Sequence, residues 1–479
     1  MDWLSDPVML ARIQFAITAL FHFIFVPTSI GVGLVTAVMA TKSYRSGDPE
    51  DEAATRFWVR LYTVTFAVGV ATGITMEFQF GTNWADYSRF VADIFGAPLA
   101  AEALFAFFLE SVFIGILIFG RNRVSRRMYM VSAWLAWGGS ALSALWIIIA
   151  NSWMQTPAGF EIVSGPDGSK AQITDFFAAA LNPSTLPRYF HVIVATLIMG
   201  ALVCVAVGAY YLLRNRSEKL ARGFVRVGVI MGVVSLVLMM PAAHWQASTV
   251  AKTQPSKLAA MEGQYEEGPA ALSLFGWVDE ANEQTYALSI PGGTSWLADG
   301  DPSVSYPGLN DFDPTERPDL VNVTYQSYHL MVALYGVLIL VVALGALVLR
   351  GAFANKKWPL VILSLGWAAA LLAIEVGWLV TEFGRLPWIV FGVMRIEDAV
   401  SLAVPAGQVL ATIVLFLAVY CLIFVCWVRL LRRTLAEGPE AFAAGGSEDA
   451  KVEAFAPSYF GETGDAAADA AATKGGASA

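Results

Sequence analysis

The chain has 479 residues, 57% of them apolar and only 14% charged. Soluble globular chains carry roughly a quarter charged residues, so an ordinary soluble domain is excluded and a bilayer protein is indicated. The formal charge of −9 points to no acidic or nucleic-acid partner, because much of the acid sits in loops and in the C-terminal tail. Cys204, Cys421 and Cys426 all lie in apolar runs, which excludes a secreted disulfide framework.

Apolar runs between charged or turn-rich breaks predict membrane spans near 12–40, 57–80, 98–119, 129–150, 188–213, 224–245, 320–349, 358–382 and 401–428. Several reach the ~20 residues that cross a bilayer core. The fold class expected is therefore all-α, a polytopic membrane bundle of about nine transmembrane helices. The N-terminus lacks a basic region and a small-residue cleavage site, so the first run is expected to persist as a helix. Basic residues gather after spans one, three, five, seven and nine, for example Arg121, Arg123, Arg126 and Arg127 after the third. The positive-inside rule then places the N-terminus outside and the C-terminus in the cytoplasm.

The chain divides into residues 1–245 with helices one to six, an extracytoplasmic loop at 246–319, helices seven to nine at 320–433, and a tail at 434–479. The loop is Gly/Pro-rich, acidic and too long for an idle connection, which makes it a functional candidate. The Ala/Gly-rich acidic tail cannot bury enough surface to fold and is expected to be disordered. No internal repeat of the kind transporters show is evident.

Ionisable groups inside bilayer spans are costly, so each is a functional candidate. All four histidines, His22, His191, His244 and His329, map to spans and to the predicted outer half. One isolated histidine has even odds of being a structural hydrogen-bonding group, but four at one depth favour a shared functional layer. Imidazole and thioether sulfur are common axial ligands of a low-spin haem, and Met331 stands two residues beyond His329. On its own Met331 reads as packing. Glu102 and Glu110 are eight residues apart in the third span, about 12 Å along the axis and on roughly one side. Two such carboxylates suit a proton relay; the bland reading is a pair of structural acids. Glu77 is a weaker acid of the same kind, and Glu375 and Glu382 are two turns apart on the eighth span. Glu382 runs into Gly384-Arg385-Leu386-Pro387-Trp388. A carboxylate and an arginine there can serve an iron and its propionates together, whereas Arg385 and Trp388 also fit an interfacial anchor belt.

Together these segments resemble subunit I of the cytochrome bd quinol oxidases up to about residue 430. The carrying segments are Gln14 to Phe23, Met76-Glu-Phe-Gln-Phe-Gly-Thr-Asn-Trp84, Gly96 to Glu102, Phe107-Phe-Leu-Glu110-Ser, Trp153-Met-Gln155, Gln254 to Glu262 and Gly384 to Trp388. The resemblance implies three cofactors, a low-spin haem b, a high-spin haem b and a haem d, near the outer face. It implies that His191 and Met331 hold the low-spin haem and that His22 and Glu382 each ligate one high-spin haem. Trp378 would lie among the haems, with Arg385 and Trp388 close by. Glu102 and Glu110 would carry protons, and Lys257 and Glu262 would bind and deprotonate quinol. The chain departs from a relative that has arginine in place of His329. Its segment after Glu262 is short, which places it in the short-loop branch, and its tail has no counterpart.

The expected activity is quinol oxidation at the outer face coupled to reduction of oxygen to water. Protons would come from the cytoplasm, building a membrane potential without pumping. A second membrane subunit (subunit II), and in some cases a small accessory chain, is the implied partner in a bacterial cell membrane. The alternatives are a haem-b-only, cyanide-insensitive oxidase and a transporter or proton channel that uses the buried acids. A membrane scaffold with structural acids is a further one. An absorption spectrum separates them.

Overall fold

The computed structural model describes residues 2–443 apart from 166–167, 355 and 402. Among these, nine helices are long and apolar enough to cross a membrane. They are α1 Pro7–Ser46, α2 Pro49–Gly81, α3 Ala85–Phe119, α4 Arg126–Gln155, α5 Thr185–Leu213, α6 Glu218–Thr253, α8 Val321–Leu349, α9 Trp358–Phe383 and α10 Ala406–Glu437. A short helix, α7, Pro255–Glu262, follows α6 after Gln254. The nine predicted spans are all present.

The helices outrun their apolar cores because capping, not hydropathy, sets their ends. Asp6 caps α1 with a side-chain bond to the Val8 amide at 2.9 Å, followed by proline at the first position. Gly47 closes that helix in the left-handed conformation at φ 66°. α6 runs eight residues past the predicted limit of 245, so the long connection effectively starts at Gln254 rather than 246. α10 starts at Ala406 rather than 401, since Pro405 disfavours helical backbone in the residue before it. The chain also stays ordered beyond 434, where the tail was placed. α10 continues to Glu437, and Phe442 is buried against Phe57, so packing extends the fold there. The rest of the predicted disordered tail, 444–479, lies outside the described residues.

α3 is interrupted. Residues Glu102–Phe107 form a π-helical segment, four residues after Pro98. Such bulges are frequent at functional sites, and this one begins at a candidate acid. The long connection between α7 and α8 folds around an antiparallel hairpin, Leu272–Asp279 with Gln284–Ile290. A second hairpin, Phe160–Gly165 with Gly168–Ile173, lies between α4 and α5. We call the end of the bundle carrying these segments the loop end.

In lipid, helices associate through close packing and small residues rather than hydrophobicity. α1 crosses α5 at Gly31 and Gly200, where an added Cβ at Gly200 would stand 2.3 Å from the Gly31 carbonyl oxygen. α5 meets α6 in the same way, with Gly228 against Ala201 and Val205. The bundle is therefore built outward from α5, the helix that carries His191.

Candidate functional site

A cavity of about 1110 Å³ lies within the bundle, lined mainly by apolar side chains of α1, α2, α3, α4, α5, α6, α8 and α9. It exceeds the roughly 300–1,000 Å³ that holds one drug-sized ligand. His22, His191 and His244 line it, as do Met331, Trp378, Glu102, Glu110 and Lys257. His329 does not. The predicted layer of histidines thus becomes three groups on one cavity and a fourth facing elsewhere.

His22 projects from α1 toward α2. Its Nδ1 lies 2.8 Å from the Thr72 hydroxyl, which donates its own proton to the Val68 or Gly69 carbonyl at 3.0 and 2.9 Å. Thr72 therefore accepts from Nδ1–H and leaves Nε2 with its lone pair free, the usual arrangement of a metal-ligating histidine. Gly73 leaves room for that ring, its added Cβ falling 3.3 Å from His22 Cε1. His191, on α5, has no hydrogen-bond partner for its buried Nδ1. The Met331 sulfur on α8 lies over Gly377 of α9, where an added Cβ would stand 3.1 Å away. Trp378 stacks on Phe23 at 4.4 Å between centroids, tying α9 to α1 beside His22.

Both acids of α3 meet α4. Glu102 accepts from Ser143 at 2.7 Å, and Glu110 packs so tightly on Gly139 that a Cβ there would fall 2.7 Å from its Cγ. With both carboxyls against α4, the π segment leaves them on one side, in keeping with their eight-residue spacing. Glu77 is exposed but also lines the cavity, and Glu375 is set with both oxygens unpartnered.

Glu382 sits at the loop end of α9, next to the cavity-lining Thr381 but itself outside the lining, as is Arg385. Its two oxygens accept from Asn151 at 3.0 Å and from Arg385 at 2.5 Å. Trp388 lies off the cavity, in the hairpin Trp388–Val390 with Met394–Arg395, where the Arg395 guanidinium covers its ring at 4.9 Å.

Lys257 and Glu262 share α7 but not a face, since five residues turn a helix by about 140°. Lys257 is only 2% exposed and points to the cavity side, donating to Gln155 Oε1 at 2.9 Å and to the Thr381 carbonyl at 2.8 Å. Burial first, and then Arg188, pushes its pKa well below the usual lysine range. Glu262 faces away, accepting from Thr294 at 2.6 Å, with His329 Nε2 3.4 Å from its other oxygen. Because His329 Nδ1 must donate to the Tyr325 carbonyl at 2.8 Å, the lone pair of its neutral form faces that carboxyl. Burial raises the Glu262 pKa, and His329 partly offsets this.

Sequence reasoning missed Thr72, Asn151 and Arg188. Arg188 is 4% exposed and one turn before His191, yet it read as a span boundary. Asn151 and Thr72 carry no charge, and only the fold brings them to Glu382 and His22.

Fold and cavity together define a polytopic membrane protein with a large, mostly apolar cavity lined in part by imidazole, thioether and carboxyl groups. The chain belongs to the family described as cytochrome bd terminal oxidase subunit I, which it matches over residues 10–439. It is 38% identical to cytochrome bd ubiquinol oxidase subunit 1 of Bacillus subtilis (strain 168), covering 90% of this chain and 94% of that one. It is 35% identical to cytochrome bd-II ubiquinol oxidase subunit 1 of Escherichia coli (strain K12), covering 91% and 98%. Among solved structures, the bd oxidase from Geobacillus thermodenitrificans matches with a TM-score of 0.80 at 29% identity, covering 91% and 99%.

Proposed function

We propose that this chain is the haem-bearing subunit of a quinol:oxygen oxidoreductase of the bacterial cell membrane, working with a second membrane subunit. The observation that carries the reading is the cavity itself, whose lining brings together His22, His191 and Met331 from three helices. The residues fit porphyrin iron: a Thr72-oriented imidazole, a histidine without a protein partner on Nδ1, and a thioether over a glycine. Haems b and d bound there would supply the electron-accepting and oxygen-binding iron.

His191 and Met331 would hold the low-spin haem b, and His22 and Glu382 one high-spin haem each, a haem b and a haem d. Arg385 holds the Glu382 carboxyl in place, and Trp378 fills the space beside Phe23. Glu262 receives a quinol proton near the loop end, with Thr294 fixing its carboxyl and the His329 ring beside it to accept that proton in turn. Glu110 and Glu102 hold protons on the α4 side of the cavity and pass them toward the reacting oxygen. If the loop end faces outward, quinol protons leave outside and consumed protons come from the cytoplasm. That arrangement generates a potential without pumping.

The test is quinol-driven oxygen consumption by the purified two-subunit complex. Turnover that is abolished by His22→Ala supports the reading; absence of quinol oxidation by the haem-loaded wild-type complex overturns it.

A further inference from the structure

The turn that ends α9, residues 381–385, gathers more positive charge than the described residues neutralise. Arg188, Lys257 and Arg385 are 4%, 2% and 5% exposed. Glu382 is the one carboxylate whose charge acts on both Arg188 and Lys257, and its oxygens are already engaged by Arg385 and Asn151. Lys257 spends its donors on neutral oxygens of Gln155 and Thr381, and Arg188 reaches only the Thr381 hydroxyl at 3.5 Å. Arg188 Nε and Arg385 Nε and Nη1 are buried without partners.

Three basic groups against one carboxylate leave Arg188 and Arg385 short of negative charge and the Lys257 ammonium without a counter-ion, which folding does not tolerate cheaply in a buried place. Guanidinium groups with idle N–H donors are built to take carboxylates. Arg188 and Lys257 line the cavity and Arg385, at the same turn, stands outside its lining, whereas Glu262, the other half of the predicted quinol pair, lies on the far side of α7. Gly384 opens the groove for the lysine stem, since an added Cβ there would fall 2.8 Å from Lys257 Cγ.

We propose that Arg188, Lys257 and Arg385 form a cradle for the two propionate carboxylates of a porphyrin in the cavity, so that Lys257 serves the cofactor and not the quinol hydroxyl. This rests on the reading above that the cavity holds haem. Two carboxylates supply negative charge to the unpaired guanidinium donors, and they restore the ammonium form that burial and Arg188 otherwise disfavour. A lipid headgroup phosphate offers similar chemistry, but it would leave the iron electrostatically untouched.

The test uses the whole two-subunit complex with Lys257→Met and Lys257→Arg, reading haem content by pyridine haemochrome and midpoint potentials by redox titration. The expected result for Lys257→Met is a lower midpoint potential for one haem, or loss of that haem, because removing a cation beside the propionates favours the oxidised iron. Lys257→Arg should return both readings toward wild type. If Lys257→Met does not accumulate, Lys257→Gln, uncharged but polar, is expected to give the same shift. Full haem content with unshifted potentials in the uncharged variants overturns the cradle alone. A wild-type complex without haem overturns it together with the functional reading.

Discussion

Replacing Gly200 with alanine tests how the scaffold sets the cavity. The new methyl carbon would stand 2.3, 2.4 and 2.6 Å from the oxygen, carbonyl carbon and Cα of Gly31. Carbon contacts are most favourable at about 3.5–4.0 Å, so α1 and α5 must part by about 1 Å. All three atoms are backbone and cannot rotate aside. Overpacking of this kind costs ~1–3 kcal/mol, roughly a five- to 150-fold loss in the folding equilibrium. Gly31 and Gly200 each lie nine residues from a cavity histidine, His22 and His191, which is about 13 Å along the helix. The separation is thus carried to both proposed ligands. We expect a lower thermal midpoint by fluorescence-detected size exclusion and a reduced haem-to-protein ratio. Gly223→Ala is the control, because nothing lies within 4 Å of a Cβ there. Wild-type stability and haem content in Gly200→Ala would refute the packing argument.

Gly377→Leu places a side chain where the first added carbon is already 3.1 Å from the Met331 sulfur. It should weaken or erase the low-spin haem absorption while sparing the high-spin bands, and an unchanged reduced spectrum would count against Met331 as a ligand. Glu262 gives a pH signature. Its folded pKa is raised by burial, so its contribution to stability is fully present below the ordinary glutamate pKa and is lost as pH rises through the higher folded value. Thermal midpoints should fall with pH across that window, and Glu262→Gln, which cannot ionise, should flatten the slope. An identical slope in both proteins would show that Glu262 does not titrate there.

The bundle was legible because hydropathy reports bilayer depth directly, so the nine spans could be counted from the chain alone. Their ends were not, since Asp6, Gly47 and Pro405 act through backbone geometry that hydropathy does not see. Of the candidate site, the costly single groups stood out in apolar runs: His22, His191, Glu102 and Glu110. Relations between helices did not. Lys257 and Glu262 looked like a pair from their spacing, and only the turn of α7 shows that they face different surroundings. Trp388 carried a motif's weight yet stacks under Arg395, off the cavity. Arg188 joins the site because α5 aims it at the α9 turn, which no feature of its own segment announces.

The reduced-minus-oxidised visible spectrum of the complex, purified with ample porphyrin supply, tests the central claim most directly. Haem held by His22, His191 and Met331 predicts low-spin and high-spin b-type bands, with the red-shifted band of haem d beside them. A colourless, correctly folded complex would contradict the account.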